Sequence, residues 1–129
     1  SPDGIWHDPA HTPDARPVPG LLVYRFAAPL IFANCSLFRD RIEALVAAAP
    51  EPVTAVVIDG GAIHDVDLMG CEMLAEVERD LRERGILLGF GNLRRRVKRD
   101  IERGLDFPPD ADGITYASVT EAVDALTGR

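Results

Sequence analysis

Cysteine is scarce in this sequence, uninterrupted apolar stretches are short, and positive charge is in deficit. The two cysteines, Cys35 and Cys71, lie far apart, with no C-x-x-C and no histidine at zinc-ligand spacing. That argues against a disulfide framework or a zinc ribbon and leaves buried free thiols, which suit a reducing cytosol. The longest mainly apolar stretch, residues 21–33, carries Arg25 and is too short to span a bilayer. No secretory signal pattern opens the chain. It begins with Ser rather than Met and reads as a piece of a longer protein. Lys and Arg number 14 against 21 Asp and Glu, a formal net charge of −7. An excess of negative charge argues against general nucleic-acid binding, which depends on cations meeting phosphates. No G-x-x-x-x-G-K-[ST] is present, so any nucleotide site is not a P-loop. No internal repeat is present.

What is there suits one globular domain. The 129 residues are 47% hydrophobic and 27% charged, enough for a real core. Ser1 to Pro19 holds five of the ten prolines and two of the three histidines. Proline at that density blocks helix and central strand alike. Residues 1–17 are therefore assigned as a Pro-rich linker or tail and residues 18–129 as the domain. Within the tail, Ile5 and Trp6 are candidates to dock on the domain or on a partner.

The stretch from Thr54 to Arg84 organises the rest. Thr54-Ala55-Val56-Val57-Ile58-Asp59 is nearly continuous in apolar, β-branched residues, as in a central strand covered on both faces. A loop through Gly60, Gly61, His64, Asp65 and Asp67 follows. A helix then repeats Cys71, Leu74, Val77 and Leu81 at helical spacing, with Asp67 as N-cap and Gly85 just past its end. Upstream, Leu21–Phe26 and Leu30–Ala33 read as two strands paired in a hairpin around Ala27-Ala28-Pro29. A helix follows from about Leu37 to Ala48, capped by Asn34 or Ser36, with Phe38, Ile42, Leu45, Val46 and Ala49 inward. Downstream come a buried strand, 86–91, and a helix, Leu93 to Arg103, opened by Asn92 and ended by Gly104. Leu105 and Phe107 are expected to pack back. A polar loop, a short strand Ile114–Ala117 and a final helix through Leu126 complete the chain. The S-x-x-E of Ser118 to Glu121 opens that helix as a capping box. The order is ββαβαβαβα: an α/β fold with a mixed, mostly parallel sheet, the hairpin supplying one antiparallel edge.

Three groups of residues could carry chemistry. Asp59, Gly60 and Gly61 leave the central strand, where ligands of open α/β sheets usually bind, and two glycines let backbone N–H groups approach a ligand. The plain alternative is a tight loop. His64-Asp65-x-Asp67 has metal or acid–base residue types but too few ligands and no nucleophile. Asp67 is more simply a cap, and His64 and Asp65 are solvated loop residues; no metal site is expected. Arg94-Arg95-Arg96-x-Lys98-Arg99 is the sharpest charge feature. Six basic residues lie between Arg94 and Arg103 against Asp100 and Glu102, a local balance of +4. A solvated helix face is the plain reading. Basic residues in a first turn oppose the helix dipole, however, which invites a role toward nucleotide phosphates or anionic lipid headgroups. Gly89-x-Gly91 follows a strand, but Arg94 stands where a dinucleotide site has Gly or Ala, so packing explains it better. Glu78–Arg82 and Asp80–Arg84 are i,i+4 pairs of an exposed helix face. Met69 and Met73 offer an adaptable apolar surface to a protein partner or to the core.

Pro19-Gly20-Leu21-Leu22-Val23-Tyr24-Arg25-Phe26, Pro29-Leu30-Ile31-Phe32-Ala33-Asn34 and Ile58-Asp59 … Ile63-x-x-Val66-Asp67-x-x-Gly70 together resemble the STAS domain. That module is shared by anti-sigma-factor antagonists and the cytoplasmic tails of SulP anion transporters. The P-x-x-F-A-N stretch resembles the SulP branch. The match covers about Val18 to Leu126. It implies a regulatory, non-enzymatic domain on the cytoplasmic face of the cell membrane, working with the transmembrane part of its own sulfate or other anion transporter. It also implies a guanine or adenine nucleotide as candidate ligand, with no cofactor required. The candidate binding residues are Asp59, Gly60, Gly61, Asp65, Asp67, Met69, Gly70, Arg94, Arg95 and Arg96. The family loop usually reads Asp-Ser-Ser/Thr-Gly, and the antagonists are phosphorylated on the hydroxyl residue before Gly. Here it is Asp67-Leu68-Met69-Gly70, and Met69 accepts no phosphate. A stand-alone antagonist is therefore the weaker alternative, and a small nucleotide hydrolase lacks a catalytic constellation.

Overall fold

A computed structural model describes residues 18–104 and 114–128. Among them, three strands form one sheet: β1 (Leu21–Arg25), β2 (Ala55–Asp59) and β3 (Leu87–Gly91), in the spatial order β1-β2-β3. Both pairs are parallel, with Leu21 opposite Ala55 and Ala55 opposite Leu87. Four helices accompany them: α1 (Cys35–Ala48), α2 (Leu68–Glu83), α3 (Arg95–Gly104) and α4 (Val119–Thr127). The predicted α/β class holds. The Pro-rich tail, Leu105, Phe107 and the loop before Ile114 lie outside the described residues.

The strands are apolar on both faces because both faces are covered. Leu22, Tyr24, Val56, Ile58, Leu88 and Phe90 join the large core under α1, α2 and α3. On the other face Val23 and Val57 meet Ala122, with Tyr116, Val119, Val123 and Leu126 around them. Every residue of β2 is buried, as its continuous run predicts. On the α4 face β3 presents Gly89 and Gly91. A Cβ at Gly89 would sit 2.9 Å from Leu126, and one at Gly91 within 2.6 Å of the Ser118–Val119 backbone. These glycines are spaced for helix packing, as read from the sequence.

The caps follow the sequence. Asp67 Oδ1 accepts from the Gly70 N–H at 2.7 Å and Ser118 Oγ from the Glu121 N–H at 3.0 Å. Gly85, just past α2, has φ +77°, a left-handed conformation that glycine adopts without Cβ strain. The i,i+4 pairs Glu78–Arg82 and Asp80–Arg84 form at 3.6 and 3.4 Å, and Arg84 also reaches Glu43 of α1 at 2.8 Å.

Four details differ from expectation. Leu30–Ala33 is not a hairpin strand. Leu30 makes one isolated parallel bridge to Val66, and Phe32–Asn34 is a 3-10 turn. The Leu30 N–H donates to the Asp65 carbonyl and its own carbonyl accepts from the Asp67 N–H. The segment therefore pairs with the loop after β2 rather than folding back on β1, and no antiparallel edge exists among the described residues. The expected strand at Ile114–Ala117 reduces to one bridge, Thr115 to Phe90. Helix α1 starts at Cys35, and Asn34 does not cap it by its side chain. Its Nδ2 donates instead to the Pro29 carbonyl at 2.9 Å. Helix α3 starts at Arg95 and includes Gly104; Asn92 lies outside it with φ 62°.

Cys71 is buried. Its Sγ faces the Asp100 carbonyl at 3.8 Å. Burial, then the nearby Asp100, Asp67 and Glu72 carboxylates, raise its thiol pKa above 9.0. A raised folded value means the native state holds its proton where the unfolded chain has lost it. Stability from this group is therefore present below pH 9 and declines as pH rises through the folded value. Alkylation of Cys71 in native protein is expected to lag well behind that in urea, as mass spectrometry of iodoacetamide adducts would show.

Candidate functional site

Parallel strands place their following loops at one end of the sheet. The Gly60–Asp67 loop and the Asn92–Arg94 turn meet there, beside the first turns of α2 and α3. Asp59 closes β2 and is only 7% exposed. Its Oδ1 accepts from the Gly61 N–H at 3.0 Å and from Asn92 Nδ2 at 3.2 Å. The left-handed Asn92 backbone turns its amide toward that carboxylate. Asn92 is the residue whose role sequence reasoning missed: a helix-opening Asn and a carboxylate clamp look alike in one dimension.

Gly60 and Gly61 fit the close approach of this chain itself. Leu93 occupies the space a Cβ at Gly60 would need, and Asn92 Nδ2 lies 2.6 Å from a Cβ at Gly61. The two glycines thus let the β2 and β3 loops pack together, the Gly60 N–H donating to the Gly91 carbonyl at 2.9 Å.

Asp67 does more than cap α2. Its second oxygen accepts from the Phe32 N–H at 3.1 Å, tying the 3-10 turn to the helix. Gly70 leaves room for that turn: a Cβ there would lie 2.7 Å from the Leu30 carbonyl carbon. Asp67→Ala removes both bonds and is expected to cost about 2 kcal/mol. A urea midpoint measurement checks this, with Asp67→Asn, which retains one acceptor oxygen, falling between.

Asp65 and Arg96 come together across the two loops. Arg96 donates to the Asp65 carboxylate at 3.2 Å and to the His64 carbonyl at 2.8 Å. Both side chains are more than half exposed, so the pair contributes little to global stability. Arg96→Ala is expected to leave the melting temperature nearly unchanged while speeding amide exchange in residues 61–67, measured by NMR. The Arg94 and Arg95 side chains are exposed and make no hydrogen bond or ion pair among the described residues. No group of three or more metal-ligating side chains converges among the described residues.

The same end carries exposed apolar side chains. Phe32 is 69% exposed, Leu68 67% and Met69 45%. Met69 borders a groove of about 460 Å³ between α1 and α2, lined also by Phe32, Cys35, Arg39, Glu72 and Met73. Met73 itself is buried, so of the two methionines only Met69 is available to a partner. A second groove, about 310 Å³, lies at the opposite end of the sheet and is lined by Leu21, Leu22, Pro50 and Val53. It holds none of the candidate residues.

An all-parallel three-stranded sheet with helices on both faces, its loop end closed by Asp67-x-x-Gly70, defines a small α/β module among the described residues. The chain belongs to the STAS domain family, whose model matches residues 12–122. It is 37% identical over 127 residues to a probable sulfate transporter of Mycobacterium tuberculosis, covering 95% of this chain and 22% of that protein. It is 28% identical to sulfate transporter 3.1 of Arabidopsis thaliana, covering 95% of this chain and 20% of that one. The chain thus spans about a fifth of the length of these relatives. The STAS domain of a SulP transporter from Vibrio cholerae superposes with a TM-score of 0.66 at 19% identity, covering 91% of this chain and 89% of that one. The murine solute carrier 26 family member A9 anion transporter gives 0.76 at 24% identity, covering 95% of this chain and 20% of that one. No helix among the described residues is long and apolar enough to cross a membrane.

Proposed function

We propose that this chain is the regulatory STAS domain of a SulP-type anion transporter, for sulfate, held at the cytoplasmic face of the membrane. The observation that carries this is the 37% identity, over nearly the whole chain, to a probable sulfate transporter about five times its length. The domain acts without catalysis, by contact with the transmembrane part of its own transporter. A partner that prefers one arrangement of the Asp59–Gly70 loops biases the transporter between states. Phe32, Leu68 and Met69 supply apolar contact area there, and the Arg96–Asp65 pair couples the two loops.

A guanine or adenine nucleotide remains a candidate ligand, since the exposed Arg94 and Arg95 side chains have no partner among the described residues. The Gly60-Gly61 backbone is already packed against Asn92 and Leu93, so such a ligand would engage the arginines rather than a glycine cradle. An antagonist role by phosphorylation has no acceptor at Met69. Incubation with an antagonist kinase and ATP is expected to leave Leu68–Met73 unmodified.

The test replaces the matched segment of the Mycobacterium tuberculosis relative with this chain and measures sulfate uptake in cells. Uptake that survives the exchange, falls on deletion and changes with Leu68→Ser and Met69→Ser supports the reading. Uptake indifferent to deletion overturns it. In parallel, amide NMR titrations with GTP, ATP, their diphosphates, phosphate and sulfate test the nucleotide. Saturable shifts at Asn92–Lys98 support it, and none with any nucleotide removes it.

A further inference from the structure

Two observations meet at the loop end of the domain, and neither needs the other. The first is apolar: Phe32 on the 3-10 turn and Leu68 in the first turn of α2 stand some two-thirds exposed, with Met69 beside them. They belong to separate elements joined at Asp67, whose carboxylate binds both the Phe32 and Gly70 N–H groups. The second is electrostatic: the exposed side chains of Arg94 and Arg95, at the start of α3 and one loop away, have no partner among the described residues. The bridge between the two regions is the Arg96 contact to Asp65 and the His64 carbonyl.

Two of the acidic groups nearby are neutralised by ion pairs, Asp65 by Arg96 and Glu76 by Arg39. Asp59 is buried and Asp67 is turned onto the Phe32 and Gly70 N–H groups, and Glu72 faces the α1–α2 groove. The +4 balance of residues 94–103 is set in a chain of −7, so the rest of the surface is more acidic still. Among the described residues, the run from Arg94 to Arg103 is therefore the most basic stretch of the chain, and Arg94 and Arg95 are its exposed start. Exposed aromatic and aliphatic side chains flanked by exposed guanidinium groups match the chemistry of a lipid–water interface. Apolar side chains enter the headgroup region there, and cations pair with phosphates.

We propose that the end of the domain bearing Phe32, Leu68, Arg94 and Arg95 rests on an anionic phospholipid bilayer. Phe32 and Leu68 enter the headgroup layer and the two arginines pair with lipid phosphates. This deepens the proposed regulatory role: lipid composition would set how firmly the loop end is held, and with it the freedom of the Asp59–Gly70 loops.

The probe is flotation with vesicles of phosphatidylcholine alone or mixed with phosphatidylglycerol, using this chain by itself. A solved Vibrio cholerae STAS domain filling most of its own chain supports using the domain alone. Binding is expected to the mixed vesicles, to fall steeply with added salt, and to be weak on phosphatidylcholine. Each of Arg94→Ala and Arg95→Ala is expected to lower affinity about fivefold, and Phe32→Ala or Leu68→Ala about tenfold. All four side chains are exposed, so circular dichroism should show unchanged folding. Arg94→Lys with Arg95→Lys should retain most of the binding. No binding to mixed vesicles, binding equal on neutral vesicles, or binding indifferent to the four substitutions would each overturn the inference. Altered uptake in chimeras carrying Phe32→Ala or Leu68→Ala, without vesicle binding by this chain, would assign the surface to protein instead. Uptake and vesicle binding are separate readouts, so either proposal can fail alone.

Discussion

Gly70→Ala is expected to destabilise the domain by about 3 kcal/mol, although alanine is the better helix former. Gly70 lies in the first turn of α2, where exchange for alanine would ordinarily gain up to about 1 kcal/mol. The new Cβ, however, would meet backbone: the Leu30 carbonyl carbon at 2.7 Å and its oxygen closer still. Backbone here cannot step aside. The Leu30 N–H is bound to the Asp65 carbonyl at 2.9 Å, its carbonyl to the Asp67 N–H at 3.1 Å, and the Phe32 N–H to Asp67. Relief of the clash breaks at least two of these bonds, and that loss exceeds the propensity gain. A fall in melting temperature of about 15 °C is expected. Gly85→Ala is the control: φ is +77° but nothing lies within 4 Å, so only backbone strain of about 1 kcal/mol remains. Equal losses for the two would show that the Leu30 bridge gives way easily.

Phe38→Ala is expected to cost about 4 kcal/mol, the largest effect of a single side chain here. Phe38 is fully buried and joins α1 to the sheet. Its ring meets Phe26 edge-to-face at 5.0 Å between centroids and lies parallel to Phe90 of β3 at 6.3 Å. Truncation leaves a ring-sized cavity among rigid neighbours, and both aromatic contacts vanish. Phe38→Leu keeps part of the volume and loses the ring contacts, so about half the cost is expected. Urea denaturation of the three proteins checks the order. A loss below about 1.5 kcal/mol for the alanine variant would mean that α1 closes on the gap.

Neither substitution touches Arg94 or Arg95, and the separation matters for reading the functional tests. Loss of vesicle binding in a destabilised variant says little, whereas loss in Arg94→Ala, with folding intact, speaks to the surface itself.

Much of the fold was legible in one dimension because its signals are local. The all-apolar Ala55–Ile58 run could only suit a strand covered on both sides. Cys71, Leu74, Val77 and Leu81 repeat at helical spacing and are all buried. Asp67, Ser118 and Gly85 mark helix ends through bonds or dihedrals that span at most a few residues. Gly89 and Gly91 announced close packing, though not against what. The family resemblance, carried by residues 19–34 and 58–70, agrees with the STAS family match.

What the tertiary structure alone decided are pairings between distant segments. Leu30–Ala33 has strand-like composition, but its backbone found partners at Asp65 and Asp67, some 35 residues away, and became a bridge and a turn. Asn92 has the chemistry of a cap, yet it turns left-handed to bind Asp59. Gly60-Gly61 could have cradled a ligand; Leu93 and Asn92 occupy that space. Of the basic run, Arg96 is spent on Asp65 and His64, while the Arg94 and Arg95 side chains have no partner among the described residues, a distinction that six similar charges in sequence do not carry. Local propensity and apolar period act over a few residues and are written in the sequence directly. Hydrogen bonds and exposure at the loop end depend on which segments the sheet brings together, and that is settled only when the chain is folded.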